Sequence, residues 1–316
     1  GYLPTGLEAE NIGKSTADTI AGGDVRIFRV RVTEQGVEEI AHNTPPAAPK
    51  GRMLPLGKVS SIKEAVLARP TFFEHFDGVS VDWRYLHDRD TAALTREAAW
   101  IARQGLHVYV DLTSGINLFP DLRLINNNPP EYATSMKAFD DVLAKMGAIG
   151  AHDLIFSLHR VPETNFTPEE TMAAIDATLK NLCPKAADKG ITLHLRQSTK
   201  SVSLDELTKV QDRAAAPNLK LALSTALLVD SGKKPEDLAA MKDRVGLWLV
   251  SSPAYDLNGT PWTTEAPLAG PPAREDAGPL LGALPDVPML LDAVYVDADA
   301  EYRDAALLAR LTAPRQ

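Results

Sequence analysis

Proton-carrying side chains occur at intervals along this sequence, each within or directly after a short apolar run. Asp82, Asp111, His159 and Asp292 are the candidates for general acids and bases, because carboxylates and imidazoles can exchange protons with a bound molecule. Other polar and aromatic side chains near these positions could hold a ligand, and they are Arg84, Asn117, Arg160, His194, Arg196, Gln197, Ser224, Ser252, Tyr255, Trp262 and Tyr295. These residue types predict acid/base chemistry on a polar ligand.

The apolar runs that precede these residues alternate with amphipathic segments, which predicts parallel strands covered by helices. The predicted strands are 51–58, 78–85, 107–112, 152–159, 191–197, 219–225, 245–252 and 287–295. The predicted helices are 91–104, 131–148, 168–189 and 203–214. Eight such units in residues 57–316 match the usual size of a (β/α)8 TIM barrel, roughly 250 residues, and indicate an α/β fold of that type. An open doubly wound sheet is the alternative, but none of these strands is followed by a GxGxxG turn.

A (β/α)8 barrel collects the carboxyl ends of all its strands on one face, where its active site is built. Taken alone, His194 could be an ordinary core residue and Asp111 could cap a loop. Nearly every predicted strand, however, ends in polar residues, and burying many of them unpaired would cost about 1–3 kcal/mol each. Their coincidence predicts a ligand-binding cleft at this face of the barrel.

The amino-terminal part of the chain has a different pattern. We assign residues 1–42 to a β segment, 43–56 to a proline-rich linker and 57–316 to the barrel. The stretch GDVRIFRVRV resembles the last strand of β-sandwich modules that accompany the catalytic barrels of many glycoside hydrolases. An upstream domain in a longer protein is therefore expected.

Composition excludes several classes of partner. The net charge of −9 and isoelectric point near 5.3 argue against nucleic acid, whose affinity depends on clustered basic residues. The chain has no apolar run long enough to span a membrane, so we predict a soluble chain without a membrane partner. Its single cysteine, Cys183, is interpreted as a buried structural thiol. The compartment stays open, since a start at Gly1 without Met is compatible with a missing signal.

Four segments in the second half follow one another in a recognisable order. They are AADKGITLHLRQ (186–197), APNLKLALST (216–225), DLAAMKDRVGLWLVSSPAYD (237–256) and VPMLLDAVY (287–295). This order resembles the xylose-isomerase-like TIM barrels, a superfamily that includes sugar isomerases and epimerases. The resemblance implies a barrel whose ligand is a carbohydrate.

The resemblance also implies four metal ligands: a Glu, an Asp, a His and a Glu that end or lie on the fifth to eighth strands. In this sequence Arg196 stands at the first position, Ser224 at the second, Leu249 or Val250 at the third and Asp292 at the fourth. A hard divalent ion needs several oxygen or imidazole donors, and a guanidinium repels it. We therefore expect the fold without the metal, and no cofactor.

Three functions are compatible with this pattern. In the first, a metal-independent enzyme acts on a sugar, and Arg196 replaces the ion and binds an anionic sugar such as a uronic acid. Glycoside hydrolysis would belong here if two carboxylates flanked the sugar at roughly 5–9 Å. In the second, a non-catalytic barrel binds glycan or serves a larger glycosidase, and Arg196 forms a buried ion pair with Asp292 or Asp111. In the third, an isomerase or epimerase uses a shifted metal site made of Asp82, Asp111, His159 and Asp292.

Two predictions concern details of the site. Trp262 lies in the long stretch 253–275 and could stack on a sugar ring together with Tyr255, or it could merely pin the loop to the barrel. We also expect the guanidinium of Arg196 to lie in the mouth of the barrel within reach of Asp292 or an anionic ligand.

Overall fold

The computed structural model divides the chain into two units, Gly1–Ala48 and Pro49–Gln316. It describes residues 30–33, 36–39, 51–69, 72–113, 124–125, 128–158, 166–197, 204–255, 261–268, 277–293, 295 and 298–312. In the first unit, strand β1 (Val30–Thr33) pairs antiparallel with strand β2 (Gly36–Glu39). The stretch GDVRIFRVRV (23–32) overlaps β1 at residues 30–32, and its residues before Val30 lie outside the described part.

The second unit contains a closed barrel of parallel strands, which confirms the predicted (β/α)8 architecture and excludes the open sheet. Its strands are β3 (Arg52–Gly57), β4 (Gly78–Asp82), β5 (His107–Asp111), β6 (Asp153–Phe156), β7 (Thr192–Arg196), β8 (Leu219–Ser224), β9 (Val245–Val250) and β12 (Met289–Leu291). They follow one another around the barrel in this order, and β12 closes it by pairing with both β9 and β3. Each predicted strand coincides with one of them.

Helices connect the strands. They are α1 (Ile62–Leu67), α2 (Phe72–His75), α3 (Arg84–His87), α4 (Thr91–Gln104), α5 (Pro129–Ile149), α6 (Pro168–Ala187), α7 (Leu204–Ala214), α8 (Thr225–Asp230), α9 (Pro235–Ala239), α10 (Ala277–Ala283) and α11 (Ala298–Leu311). A hairpin of β10 (Ser252–Tyr255) and β11 (Pro261–Ala266) follows β9. None of the described helices is long and apolar enough to cross a membrane.

Local sequence signals explain where the long helices begin. Thr167 and Glu170 form a capping box at α6, in which each side chain accepts a hydrogen bond from the other residue's backbone N–H. Asp90 caps α4 in the same manner by accepting from Ala93 N at 2.7 Å. Satisfying these amides fixes the first turn of each helix, and with it the direction in which the helix returns over the barrel.

The first barrel strand corrects one predicted boundary. β3 occupies Arg52–Gly57, so residues 52–56 belong to the barrel rather than to the linker assigned to 43–56. Pro55 makes this stretch resemble a linker, because proline cannot donate to a sheet ladder. In the structure the ladder with β4 shifts register between Pro55 and Gly57, an irregularity of the kind at which a strand tolerates proline.

Alternation along the strands separates an inner from an outer core. Met53, Tyr109, Ile155, Ala222, Leu247, Leu249 and Leu290 form an apolar cluster inside the barrel. The residues between them on the strands, such as Val110, Leu195 and Trp248, belong to the larger core shared with the helices. Trp248 is fully buried in this outer core. Cys183 is buried there as predicted, and burial raises the pKa of its thiol to about 11.

Candidate functional site

Arg196 ends strand β7 with its side chain directed into the barrel. Leu193 and Leu195 on the same strand belong to the outer core, so the alternate residues His194 and Arg196 face the inside. The Arg196 guanidinium contacts two carboxylates: Nη1 lies 3.4 Å from Oδ2 of Asp111, and Nη2 donates to Oδ1 of Asp292. Only 11 % of the Arg196 side chain is exposed, which makes this a largely buried three-residue ion network.

The two carboxylates reach Arg196 from the ends of other strands. Asp111 ends β5, and its Oδ1 accepts hydrogen bonds from the backbone N of Thr113 at 2.7 Å and from the Thr113 hydroxyl at 2.6 Å. Asp292 directly follows β12, and its backbone N donates to the Val250 carbonyl of β9 at 2.9 Å. The Asp111 carboxylate is thus oriented by Thr113, and the backbone of Asp292 is held against β9.

A second arginine–carboxylate pair lies beside this network. Asp82 ends β4 directly opposite Asp111 in the ladder, and it accepts from Arg84 twice: from the backbone N at 2.8 Å and from Nη1 at 2.9 Å. The Arg84 guanidinium also lies 5.4 Å from the ring centre of Trp83, within range of a cation–π contact. We call Asp82, Arg84, Asp111, Arg196 and Asp292 the mouth cluster.

The apolar inner cluster lies beneath these polar groups. Ile155 and Tyr109 precede the mouth on strands β6 and β5, and Ala222, Leu249 and Leu290 do so on β8, β9 and β12. The site thus has charged groups at the strand ends and an apolar floor that excludes water from below. Such surroundings strengthen the electrostatic interactions of the groups above them.

The other positions at which the resemblance implies metal ligands carry side chains with different roles in the structure. Ser224 caps helix α8, since its Oγ accepts from Leu227 N at 3.3 Å. Leu249 packs in the apolar floor, and Val250 belongs to the outer core. Asp292 is the one residue of the four that could bind a metal ion, and its carboxylate accepts a hydrogen bond from Arg196. These four side chains do not provide the several oxygen or imidazole donors that a divalent ion needs.

A shifted metal site receives no support from the described part of the chain. Within that part, no three His, Cys, Asp or Glu side chains come together in an arrangement that could hold a metal ion. His159, which the shifted site requires, lies outside the described residues.

His194 occupies the middle of the barrel rather than its mouth. Its Nε2 lies 2.7 Å from Oδ1 of Asp153, the first residue of β6, and its ring packs against Tyr109. Gly246 makes room for this ring, because a Cβ there would lie 2.8 Å from His194 Cε1 and 2.7 Å from the Cβ of Lys220. Burial, with Asp153 nearby, raises the pKa of the Tyr109 hydroxyl. His194 is thus part of the packed core.

Three other predicted binding residues hold the scaffold together. Gln197 accepts from the backbone N of Ser224 through Oε1 at 3.2 Å, which ties the ends of β7 and β8. Ser252 is buried, with its Oγ 3.4 Å from the Pro253 carbonyl. Tyr295 donates its hydroxyl to Asp304 of α11 at 2.8 Å, and burial followed by that carboxylate raises its pKa. The partners in these hydrogen bonds are Ser224, Pro253 and Asp304, none of which belongs to the mouth cluster.

The remaining predicted residues are described in part or not at all. Asn117, His159 and Arg160 lie outside the described residues. For Tyr255 and Trp262 the structure describes the backbone alone. Tyr255 ends β10 and pairs with Pro261 of β11, and Trp262 is the next residue of β11.

The structure adds one residue to the candidates from the sequence, Ser157. It directly follows β6 and lies two residues beyond Ile155 of the inner cluster, while Phe156 and Leu158 belong to the outer core. Ser157 therefore faces the interior at the level of the strand ends. The period-2 alternation of the strand would have identified it, because 153, 155 and 157 share one face.

Comparison with known proteins supports the fold assignment. No protein-family model matches the chain, and no curated protein matches its sequence. Among solved structures, a D-psicose 3-epimerase determined in the presence of D-fructose aligns with a TM-score of 0.66 at 11 % identity, over 83 % of this chain and 100 % of the other. A D-psicose 3-epimerase from Clostridium cellulolyticum H10, with D-tagatose, aligns at 0.63 and 11 % identity, over 83 % and 95 %.

A third structure carries the name of the family itself. A xylose isomerase domain protein from Alicyclobacillus acidocaldarius aligns with a TM-score of 0.61 at 16 % identity, over 83 % of this chain and 98 % of the other. At such identities the likeness concerns the fold, and the closed barrel order agrees with it. The predicted resemblance is confirmed at that level: the chain has the fold of the xylose-isomerase-like TIM barrels.

Proposed function

We propose that the barrel binds a sugar at the mouth cluster and acts on it by acid/base chemistry without the divalent ion that the resemblance implies. The observation that carries this proposal is the placement of Arg196, whose guanidinium contacts both Asp111 and Asp292 at the strand ends, where the resemblance implies a metal ligand. A permanent positive charge thus stands at the strand ends.

The chemistry follows from what these groups can donate and accept. A guanidinium can stabilise the oxyanion that develops when a proton is removed next to a sugar carbonyl, and it works best in a site from which water is excluded. Asp82, Asp111 and Asp292 are the carboxylates available to take or return that proton, and His159 stays a further candidate. The apolar floor beneath Arg196 supplies the dry surroundings.

The pairing of Arg196 favours a neutral sugar over an anionic one. Because the guanidinium is already engaged by Asp111 and Asp292, a uronate would have to displace one of these carboxylates to form its own ion pair. A neutral sugar can donate hydroxyl hydrogen bonds to the same carboxylates without breaking the network. D-Fructose and D-tagatose, which accompany two of the similar structures, are therefore the first probes.

The same arrangement disfavours glycoside hydrolysis by Asp111 and Asp292. Such a mechanism needs the sugar between the two carboxyl groups. Here the guanidinium of Arg196 occupies that space, since it contacts both of them. Proton transfer next to a carbonyl, as in isomerisation or epimerisation, needs no such gap.

One observation also favours a second function, a non-catalytic sugar-binding barrel. The buried ion network of Arg196 with Asp111 and Asp292 is complete without a ligand, so it can serve a purely structural role at the strand ends. This function shares the ligand and the site with the first but predicts no turnover.

Replacing Asp111 or Asp292 by asparagine is expected to abolish most proton transfer. Incubation with D-fructose or D-tagatose in D2O, followed by proton NMR, reports exchange at the carbon next to the carbonyl. We expect exchange with the wild-type protein, slowed about 100-fold or more in Asp111→Asn or Asp292→Asn, which is the usual contribution of an acid or base.

The control is Asp212→Asn, which alters an exposed carboxylate paired with Arg244. It should leave the exchange rate unchanged. Binding without exchange in the wild-type protein would favour the non-catalytic barrel, and equal exchange in all variants would refute the acid/base assignment.

A further inference from the structure

Ser157 carries a buried hydroxyl at the strand ends that has no partner within the described part of the chain. The residue is 6 % exposed, and its Oγ makes no hydrogen bond there. A buried hydroxyl without a partner destabilises the folded protein, and most such groups in native proteins are satisfied. A ligand at the mouth could provide the missing bond.

The position of Ser157 places it next to Arg196. Strands β6 and β7 are parallel and their ladder ends with Phe156 opposite Leu195, so Ser157 and Arg196 are the residues that follow this last pair on the two chain segments. Both alternate with residues of the outer core and therefore face the same interior space. Asp111 approaches that space from β5, on the other side of β6, with Ile155 as its neighbour in the ladder.

We infer that Ser157 is a substrate-contacting residue whose hydroxyl bonds to a sugar hydroxyl that donates to Asp111 beside Arg196. The inference rests on the proposed function and deepens it by adding a residue to the site. A serine hydroxyl both donates and accepts, so it can pair with a sugar hydroxyl that already donates to a carboxylate. The ligand class is a neutral, polyhydroxylated molecule.

Ser80 offers a matched control on the same face of the barrel. It lies on β4 two residues before Asp82, is 1 % exposed, and its Oγ also has no partner among the described residues. Its neighbour in the ladder is Tyr109 of the apolar floor, so it lies one layer below the mouth. Both hydroxyls lack a hydrogen-bond partner among the described residues, but only that of Ser157 lies beside Arg196, where we expect the ligand.

The test is calorimetric titration of the full chain with D-fructose and D-tagatose, together with the melting temperature of the free protein. Ser157→Ala should weaken the affinity for the sugar that binds by about tenfold, the value of one hydrogen bond. Its melting temperature should stay the same or rise, because the change removes an unsatisfied polar group. Ser80→Ala should have the same melting temperature as Ser157→Ala, or nearly so, and should bind the sugar with the wild-type affinity.

The outcomes separate this inference from the proposed function. If the wild-type protein binds a sugar and Ser157→Ala binds it equally well, the contact is refuted while the sugar site stands. A melting temperature of Ser157→Ala clearly below that of Ser80→Ala would also overturn the inference, because it would show a structural role. If the wild-type protein binds neither sugar, the proposed function and the contact fall together.

Discussion

Replacing Arg196 with methionine is expected to lower the free energy of unfolding by about 3–5 kcal/mol, the usual cost of removing one partner of a buried ion pair. Methionine fills a similar volume without the charge, so Asp111 and Asp292 would be left facing each other. Their side chains are 4 % and 16 % exposed, which gives water little access to them. The loss should appear as a lower midpoint in urea denaturation.

The matched control for this change is Arg244→Met. Arg244 pairs with Asp212 at 2.6 Å, but 36 % and 56 % of these side chains are exposed. Exposed pairs contribute at most about 1 kcal/mol, so Arg244→Met should have a small effect. Equal losses in the two variants would show that the Arg196 network is not buried in solution as it is in the structure.

Replacing Arg196 with glutamate is expected to create a divalent-metal site. The new carboxylate would join Asp111 and Asp292, and three converging carboxylates provide the oxygen donors that Mg²⁺ and Mn²⁺ prefer. Without metal, mutual repulsion should make Arg196→Glu less stable than Arg196→Met. Added MnCl2 should restore about 2.7 kcal/mol when the metal reaches a hundred times its dissociation constant.

Unfolding of three proteins with MnCl2 and with EDTA measures this gain. The wild-type protein has a cation in the ligand position and should not respond, and Arg196→Met lacks the third carboxylate and should respond weakly. If the free energy of unfolding of Arg196→Glu were the same in MnCl2 and in EDTA, residue 196 would not stand where the resemblance implies a metal ligand. An equal response of all three proteins would lead to the same conclusion.

Most of the fold could be predicted from the sequence because parallel strands buried on both faces must be nearly continuous apolar runs. The runs at 107–112 and 191–197 contain β5 and β7, with boundaries wrong by a residue at most. The first strand was harder to place, since Pro55 resembles a linker residue until its register shift is seen. The contact of Arg196 with Asp292 followed from the family positions rather than from spacing along the chain.

The sequence did not predict at which level along the barrel axis each inward-facing side chain lies. His194 and Arg196 are two residues apart on one strand and face the same way, yet His194 pairs with Asp153 inside the barrel and Arg196 lies at the mouth. The stagger between strands decides which inward side chains share a layer, and that stagger is a property of the closed barrel. The inward direction of Ser157, in contrast, follows from the alternation of side chains along β6, and the sequence could have revealed it.

Sugar binding by metal-free protein tests the central claim most directly, namely that Arg196 replaces the ion at a sugar site. The wild-type chain would be freed of metal with a chelator, checked by elemental analysis, and titrated calorimetrically with D-fructose and D-tagatose in EDTA and in MnCl2. We predict that one of these sugars binds with the same dissociation constant in both buffers. Binding that occurs only in MnCl2 would contradict the account.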